Sequence, residues 1–557
     1  MTHVSRLARG SAVPLAYAAL SVVLYGRSVL AHPGRSLVGT GVDPQIFVWS
    51  IAWWPHALLH GLNPIVTHAV WAPIGANLAW TTSVAGIALP LAPVTLAFGP
   101  VVAYNVAALA LPALAATTAY LLCLRLTGSR VASLIGGAFF GFSPYMAGHE
   151  EGHLHMSSVF LVPLGAIAML DFLDGKRSRR ASVVRIGALL AWQLLLSTEV
   201  LLTATLALAV GLLLAFLLIP DRRSALRSAF APLAAAYGLA GACTAPFVWY
   251  ALRHFETGSI NRPADFPADL ANLIVPTRLA LLTTSWTVTK SDRFVGNLSE
   301  NGAYIGLPAL GVVAVVIAMR WREPRIRFLA VAAAAGVVAE LGTALHVMGH
   351  SLVVLPWRAF SAAPGLSNVL PVRLSAFVAL TVAIFLALFV AGGPRTSITR
   401  IGIAAAALVV VLPSPTSSGW RGTIDRPSFF TSALESQCLR PGENVLALPY
   451  PNQTAMMVWQ AEARFHFRLA NGNLRPDPPV SIPHRESVLV LDSGGDVDTI
   501  SAGDIAAIAT AQGVSTILVD DAHASPWTAL LTGQYPSQHL GGVTLYRVVP
   551  GPATCPS

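Results

Sequence analysis

Apolar runs of roughly 20 residues recur along most of this chain, and each is long enough to cross a bilayer as a helix. No other feature restricts the possible folds as much. Only 11% of the 557 residues are charged and 54% are apolar, against about 25% charged in a soluble globular domain. A soluble enzyme, a disordered chain and a disulfide-stapled scaffold are thereby excluded. The chain reads as a polytopic α-helical membrane protein.

Charge divides it in two. Residues 1–413 hold 27 of the 35 basic and 14 of the 26 acidic residues, a balance of +13, and residues 414–557 carry −4. A basic membrane domain, 1–413, thus precedes a mildly acidic domain, 414–557. Membrane topology accounts for the basic excess, so no nucleic-acid partner is implied. Arg6 and Arg9 precede the first apolar run, and further clusters occupy Arg125/Arg130, Lys176–Arg185, Arg222–Arg227, Arg320–Arg327 and Arg395/Arg400. All lie in short connections, which the positive-inside rule places in the cytoplasm. Spans near 11–31, 102–124, 131–147, 155–173, 183–198, 200–219, 229–252, 302–320, 328–345, 372–392 and 400–413 satisfy that rule by parity. About eleven transmembrane helices result, with the N-terminus in the cytoplasm and the C-terminal domain outside. The first run reads as a retained anchor rather than a cleaved signal, because so many spans follow it. The short run 84–98, with Pro90 and Pro93, reads as re-entrant or interfacial.

The outer side then carries loops 32–83 and 253–301 and the tail. Trp49, Trp53, Trp54, Trp71 and Trp80 crowd the first loop, as expected of helices lying in a membrane interface. The tail opens on a Pro- and Ser-rich linker from Pro413 and continues as short β-type runs alternating with helical patterns. The clearest helical pattern is 502–512, with Gly513 as its stop. This predicts a small extracytoplasmic α/β domain. Cys438 and Cys555 lie in the tail and either pair there or remain free thiols.

Ionisable groups near membrane depth are costly, so each is a functional candidate. The outer side collects Asp43, His149, Glu150, Glu151, His153, His155, Glu199 and Glu340 from several different segments. Asp43, before Pro44, suits a base for a hydroxyl proton, a cation ligand or a helix N-cap. The string His149-Glu150-Glu151-Gly152-His153 fits H-E-x-x-H, in which two imidazoles share one helix face around zinc. Pro144 and Gly148 place the string at a helix end and Gly152 lies inside it, so the plainer reading is an outer loop that binds a cation or a phosphate, or a solvated polar loop. Glu199 marks the turn of a helical hairpin, and Glu340 calls for a buried Arg or His partner. Arg373 and Arg358, with Arg253 and His254, supply outer cations; a guanidinium fork suits phosphate or anchors to lipid headgroups.

One span, a large outer loop opened by an acid, a second acidic outer loop two spans later and a terminal α/β domain together resemble a known superfamily. Local strings add to this: Asn63-Pro64, Ala72-Pro-Ile-Gly-Ala-Asn77, Phe142-Ser-Pro-Tyr145, Tyr304-Ile-Gly306, Leu448-Pro-Tyr-Pro451 and Trp459-Gln460. The chain resembles a bacterial branch of the GT-C integral-membrane glycosyltransferases, which use polyprenyl-phosphate sugars. The resemblance implies catalytic acids at Asp43 and at Glu150 or Glu151. It implies a lipid phosphate near Arg373, Arg358, Glu199 and His155. The three His residues depart from the superfamily's two-acid pattern and leave metal use open, with His149 and His153 as the ligands for a divalent cation (Mg, Mn or Zn) where one is used. The implied partners are the lipid-linked donor, an envelope acceptor and membrane lipids, in the bacterial cytoplasmic membrane. A flippase or transporter of a lipid-linked envelope component, and a zinc metalloprotease built on the HEEGH string, are the alternatives.

Overall fold

The computed structural model describes the backbone over residues 3–253, 262–363, 365–393, 397–474, 478–494 and 497–556, and side chains from residue 12 onward. His254 and Arg395 lie outside the described residues, as do the side chains of Arg6 and Arg9. Two compact units form. One comprises Met1–Ala31, Val106–Thr244 and Gly258–Arg421, the other His32–Asn105, Ala245–Thr257 and Gly422–Ser557.

The first unit is helical. Serines open four of its α-helices: Ser129, Ser143, Ser178 and Ser197 accept the backbone N–H groups of Ala132, Met146, Ala181 and Val200. The Arg130–Gly141 helix meets the Pro100–Thr127 helix through Gly137 and Gly141, a small-xxx-small pair. A Cβ on Gly141 would stand 2.4 Å from that of Ala116, so only glycine permits this approach. At another point Arg125, Arg185 and Arg222 converge on Asp171 and Asp174, joining three of the basic clusters through two carboxylates.

Four helices among the described residues are long and apolar enough to cross a membrane: Pro100–Thr127, Arg130–His149, Thr198–Leu218 and Pro371–Ala391. A fifth is added if the Pro220–Cys243 and Ala245–Arg253 helices, bent by 81°, count as one span. The expectation of eleven is corrected to four or five. Apolar sequence reports burial without saying whether lipid or protein does the burying. Much of it here is helix too short to span, at 13 residues for Leu161–Leu173 and 14 each for Leu307–Arg320 and Ile398–Val411. Such helices rise only about 20 Å, against a hydrocarbon core of about 30 Å. The run 84–98 forms two short helices, Ala85–Ala88 and Ala92–Phe98, neither of which can cross.

The second unit is α/β. Its five-stranded sheet runs, edge to edge, Ser537–Leu540, Val543–Arg547, Thr516–Asp520, Asn444–Leu448 and Arg468–Leu469. The last three strands are parallel and the first two pair antiparallel. Every residue of Asn444–Leu448 and Thr516–Asp520 is buried, as strands covered on both faces require. The Ala502–Ala511 helix carries a Ser501/Asp504 capping box. Cys438 and Cys555 form a disulfide.

Of the five tryptophans expected at a membrane interface, Trp49, Trp53, Trp54 and Trp71 are buried and Trp80 is partly buried. Trp49, Trp53 and Trp71 pack with Leu446, Leu448, Met457 and Phe467 in one apolar cluster. Gln460 explains why they sit there. Its Oε1 accepts the Trp49 indole N–H at 2.7 Å, and its Nε2 donates to the carbonyls of Ala69 at 2.7 Å and Phe467 at 3.0 Å. Segment 69–72 then bonds along Leu469, extending the sheet edge. Replacing Gln460 by Leu takes the Gln460 partner from the Trp49 indole N–H and the Phe467 carbonyl, while the Ala69 carbonyl keeps the Leu469 N–H at 2.8 Å. It is expected to destabilise this unit by at least about 2 kcal/mol, measured as a lower unfolding midpoint or faster proteolysis between residues 60 and 80.

Candidate active site

Five charged or titratable side chains of the first unit meet in one buried network. Arg373 stands in the 3-10 turn Pro371–Leu374 that leads into the Ser375–Ala391 helix. Its Nε donates to both Glu300 oxygens at 3.1 Å, and its terminal nitrogens pair with Glu300 and with Glu199. Glu199 lies in the first turn of Thr198–Leu218, just past the hairpin junction at Ser197. Beyond Glu300, His153 Nδ1 lies 3.8 Å from its Oε1, and His149 Nδ1 lies 3.4 Å from His153 Nδ1. Tyr145 meets the His149 ring edge-on at 4.4 Å and donates its hydroxyl to the Met156 carbonyl at 2.9 Å.

Local sequence builds this arrangement. Ser143 and Pro144 start the six-residue helix Pro144–His149, and the chain then turns, so the H-E-x-x-H string is not a continuous helix. One further 2.8 Å backbone bond, His153 N–H to His149 O, keeps the two imidazoles on the same side. Gly148 and Gly302 let the 297–303 loop approach: a Cβ on Gly148 would stand 2.3 Å from the Ser299 carbonyl, and one on Gly302 2.9 Å from Tyr145 Cα. That approach brings Glu300 to the imidazoles. Gly148→Ala is therefore expected to push the loop away at a cost of about 1–3 kcal/mol, seen as a lower denaturation midpoint.

His149, His153 and Glu300 each offer a ligand atom, and these atoms all lie within 4.8 Å of one another. Two imidazole nitrogens and one carboxylate oxygen in a largely buried setting form a donor set that fits a divalent cation. Burial works against charge on Glu300, but the adjacent Arg373 guanidinium and His149 more than offset it and hold the carboxyl below its usual range. Burial pushes Glu150 up to about 8 and Glu151 up to about 7, with His153 and Arg278 opposing the latter.

The structure brings together His149, His153, Glu199 and Arg373 among the residues expected from the sequence. Glu150 is buried beside them in the chain, with its Oε1 unpaired, and Glu151 is half-buried. His155 sits with its ring 6.2 Å from that of His153. Arg358 is exposed on the four-residue helix Trp357–Phe360 and takes no part in the network among the described residues. Glu340 does not find the basic partner expected of it: it is fully buried and both carboxylate oxygens lack a hydrogen bond. Asp43, in the second unit, is half-buried in the first turn of Asp43–Leu59, one residue inside the cap position held by Val42. Sequence reasoning missed Glu300. Its only signal is an isolated acid between Asn297 and Gly302, at the end of an outer loop where acids are not scarce.

An apolar pocket of about 210 Å³ lies within the same unit, lined by Leu190, Leu201, Leu208 and Phe377. Phe377 is one turn beyond Arg373. Gln193, also lining it, is 4% exposed and both its amide atoms are unpaired. Nearby, Thr205 and Tyr237 share a 2.7 Å hydrogen bond.

This fold is shared with solved membrane glycosyltransferases. The arabinofuranosyltransferase AftD from Mycobacteria matches with a TM-score of 0.56 at 15% identity, over 91% of this chain and 35% of that one. The oligosaccharyltransferase AglB from Archaeoglobus fulgidus, in complex with an inhibitory peptide and a dolichol-phosphate, matches at 0.53 and 12%, over 98% and 76%. The Archaeoglobus fulgidus oligosaccharyltransferase in complex with Zn and sulfate matches at 0.52 and 13%, over 93% and 69%. The architecture is thus of the GT-C type, an integral-membrane fold. The chain belongs to the DUF6311 family, a domain of unknown function whose family model matches residues 14–412. No curated protein matches its sequence.

Proposed function

We propose that this chain is a GT-C glycosyltransferase. It moves a sugar from a polyprenyl-phosphate donor to a glycan, lipid or protein acceptor of the bacterial envelope, on the outer face of the cytoplasmic membrane. The observation that carries this reading is the buried network of Glu199, Arg373, Glu300, His153 and His149 within a fold shared with such enzymes. That shared fold favours it over a flippase or a zinc metalloprotease.

In this reading the acceptor hydroxyl oxygen bonds to the anomeric carbon as the carbon–oxygen bond to phosphate breaks. The lipid phosphate leaves with the electron pair. Asp43 takes the hydroxyl proton, and Glu150 or Glu151 is the second-loop acid. Arg373 holds Glu300 and Glu199 in place and, with His155, forms the phosphate end of the site; Arg358 meets the donor headgroup from its exposed short helix. His149, His153 and Glu300 would hold a divalent cation, zinc or manganese in preference to magnesium, which would neutralise charge on the phosphate. The apolar pocket below Phe377 gives the first units of the lipid chain a place to lie. The Cys438–Cys555 disulfide supports an extracytoplasmic tail, because such bonds persist in oxidising compartments.

Comparing envelope glycans and lipid-linked sugars in deletion and wild-type strains tests this. Loss of one glycan species with accumulation of a polyprenyl-phosphate sugar is expected. An unchanged profile contradicts it.

A further inference from the structure

A second cavity of the first unit, about 410 Å³, lies at the end of the Ser375–Ala391 helix opposite Arg373. Its walls include Leu126, Val316, Met319 and Leu388, from the last turns of three helices, and it is rimmed by Arg320 and Arg400. Both guanidiniums are held. Arg400 lies 5.3 Å over the Phe389 ring and donates from one terminal nitrogen to the Phe389 carbonyl at 3.1 Å. Gly393 leaves room for this: a Cβ there would stand 2.8 Å from Arg400 Cδ. Arg320 makes a two-pronged pair with Glu323 at 2.7 and 2.8 Å.

A guanidinium has five N–H donors, so both arginines keep donors beyond these bonds. Counting Glu323, the rim retains one positive charge. Leu126 and Met319 are exposed, so the apolar wall continues onto the outer surface of the helices. A pocket that combines cationic donors with an open apolar flank at helix ends suits an amphiphile better than a small hydrated ion.

We propose that this cavity binds the phosphodiester of an anionic phospholipid, its phosphate on Arg320 and Arg400 and its acyl chains along Leu126, Val316 and Met319. The site is separate from the network around Glu300, and its occupant does not depend on the glycosyltransferase reading.

The test uses the full chain in nanodiscs of phosphatidylcholine doped with phosphatidylglycerol, counting lipid retained after detergent exchange by native mass spectrometry. Wild-type protein is expected to retain phosphatidylglycerol selectively. Each arginine removed should weaken retention about five-fold, so Arg320→Gln/Arg400→Gln loses most of it. Met319→Glu keeps both arginines and alters an exposed side chain, so it should fold normally and also lose retention. Millimolar inorganic phosphate should not displace the lipid. Equal retention of phosphatidylglycerol in the double variant or in Met319→Glu overturns the proposal, as does displacement by inorganic phosphate alone.

Discussion

Arg373→Met is expected to destabilise the first unit by about 3–5 kcal/mol, the cost of stranding a buried charge without its partner. Here two carboxylates are stranded at once. Glu300 is 4% exposed and Arg373 7%, so water reaches neither group readily. The guanidinium holds Glu300 through Nε and one terminal nitrogen and Glu199 through the other. Methionine replaces the aliphatic stem but none of these donors. The thermal denaturation midpoint in detergent should fall sharply, and Arg373→Met/Glu300→Gln should recover part of the loss, because one stranded charge is removed. A midpoint within the error of wild type would show that the network does not hold this end of the helices together.

The second large effect is on rate. Asp43→Asn is expected to lower kcat/KM for sugar transfer by about 10²- to 10⁴-fold, the usual contribution of a positioned base. The carboxamide has nearly the same shape. Asp43 is only half-buried, so stability should change by no more than about 0.5 kcal/mol. Donor affinity should be unaffected. A loss in rate of less than about three-fold would assign Asp43 to the helix start alone, where an acid in the first turn is favourable for structural reasons.

The sequence was most informative where charge is scarce. His149 and His153 at i and i+4, Glu199 between two apolar runs and Arg373 at the head of another stand out for that reason, and they meet in space. Glu300 was hidden because its meeting with them is made by Gly148 and Gly302, whose missing Cβ atoms let the 297–303 loop approach. Nothing local in the chain announces that contact. The tryptophans misled for a related reason. An indole belt at a membrane surface and an indole cluster in a domain core look alike until Gln460, 411 residues on, is seen to take the Trp49 N–H. The span count failed because apolar runs such as 155–173 and 302–320 include irregular backbone ahead of their helices. Glu340 shows the reverse case, an acid expected to have a partner and found without one.

Sugar transfer by the purified protein is the decisive assay. The full chain, in detergent or nanodiscs, would be given a panel of polyprenyl-phosphate sugars, an envelope extract as acceptor and zinc or manganese. Release of free polyprenyl phosphate would be followed alongside labelled product. Transfer from at least one donor is expected, stopped by a chelator, by Asp43→Asn and by Glu300→Gln. If no donor in the panel is turned over, or if turnover is unchanged in both variants, the chain is not a glycosyltransferase acting through these residues.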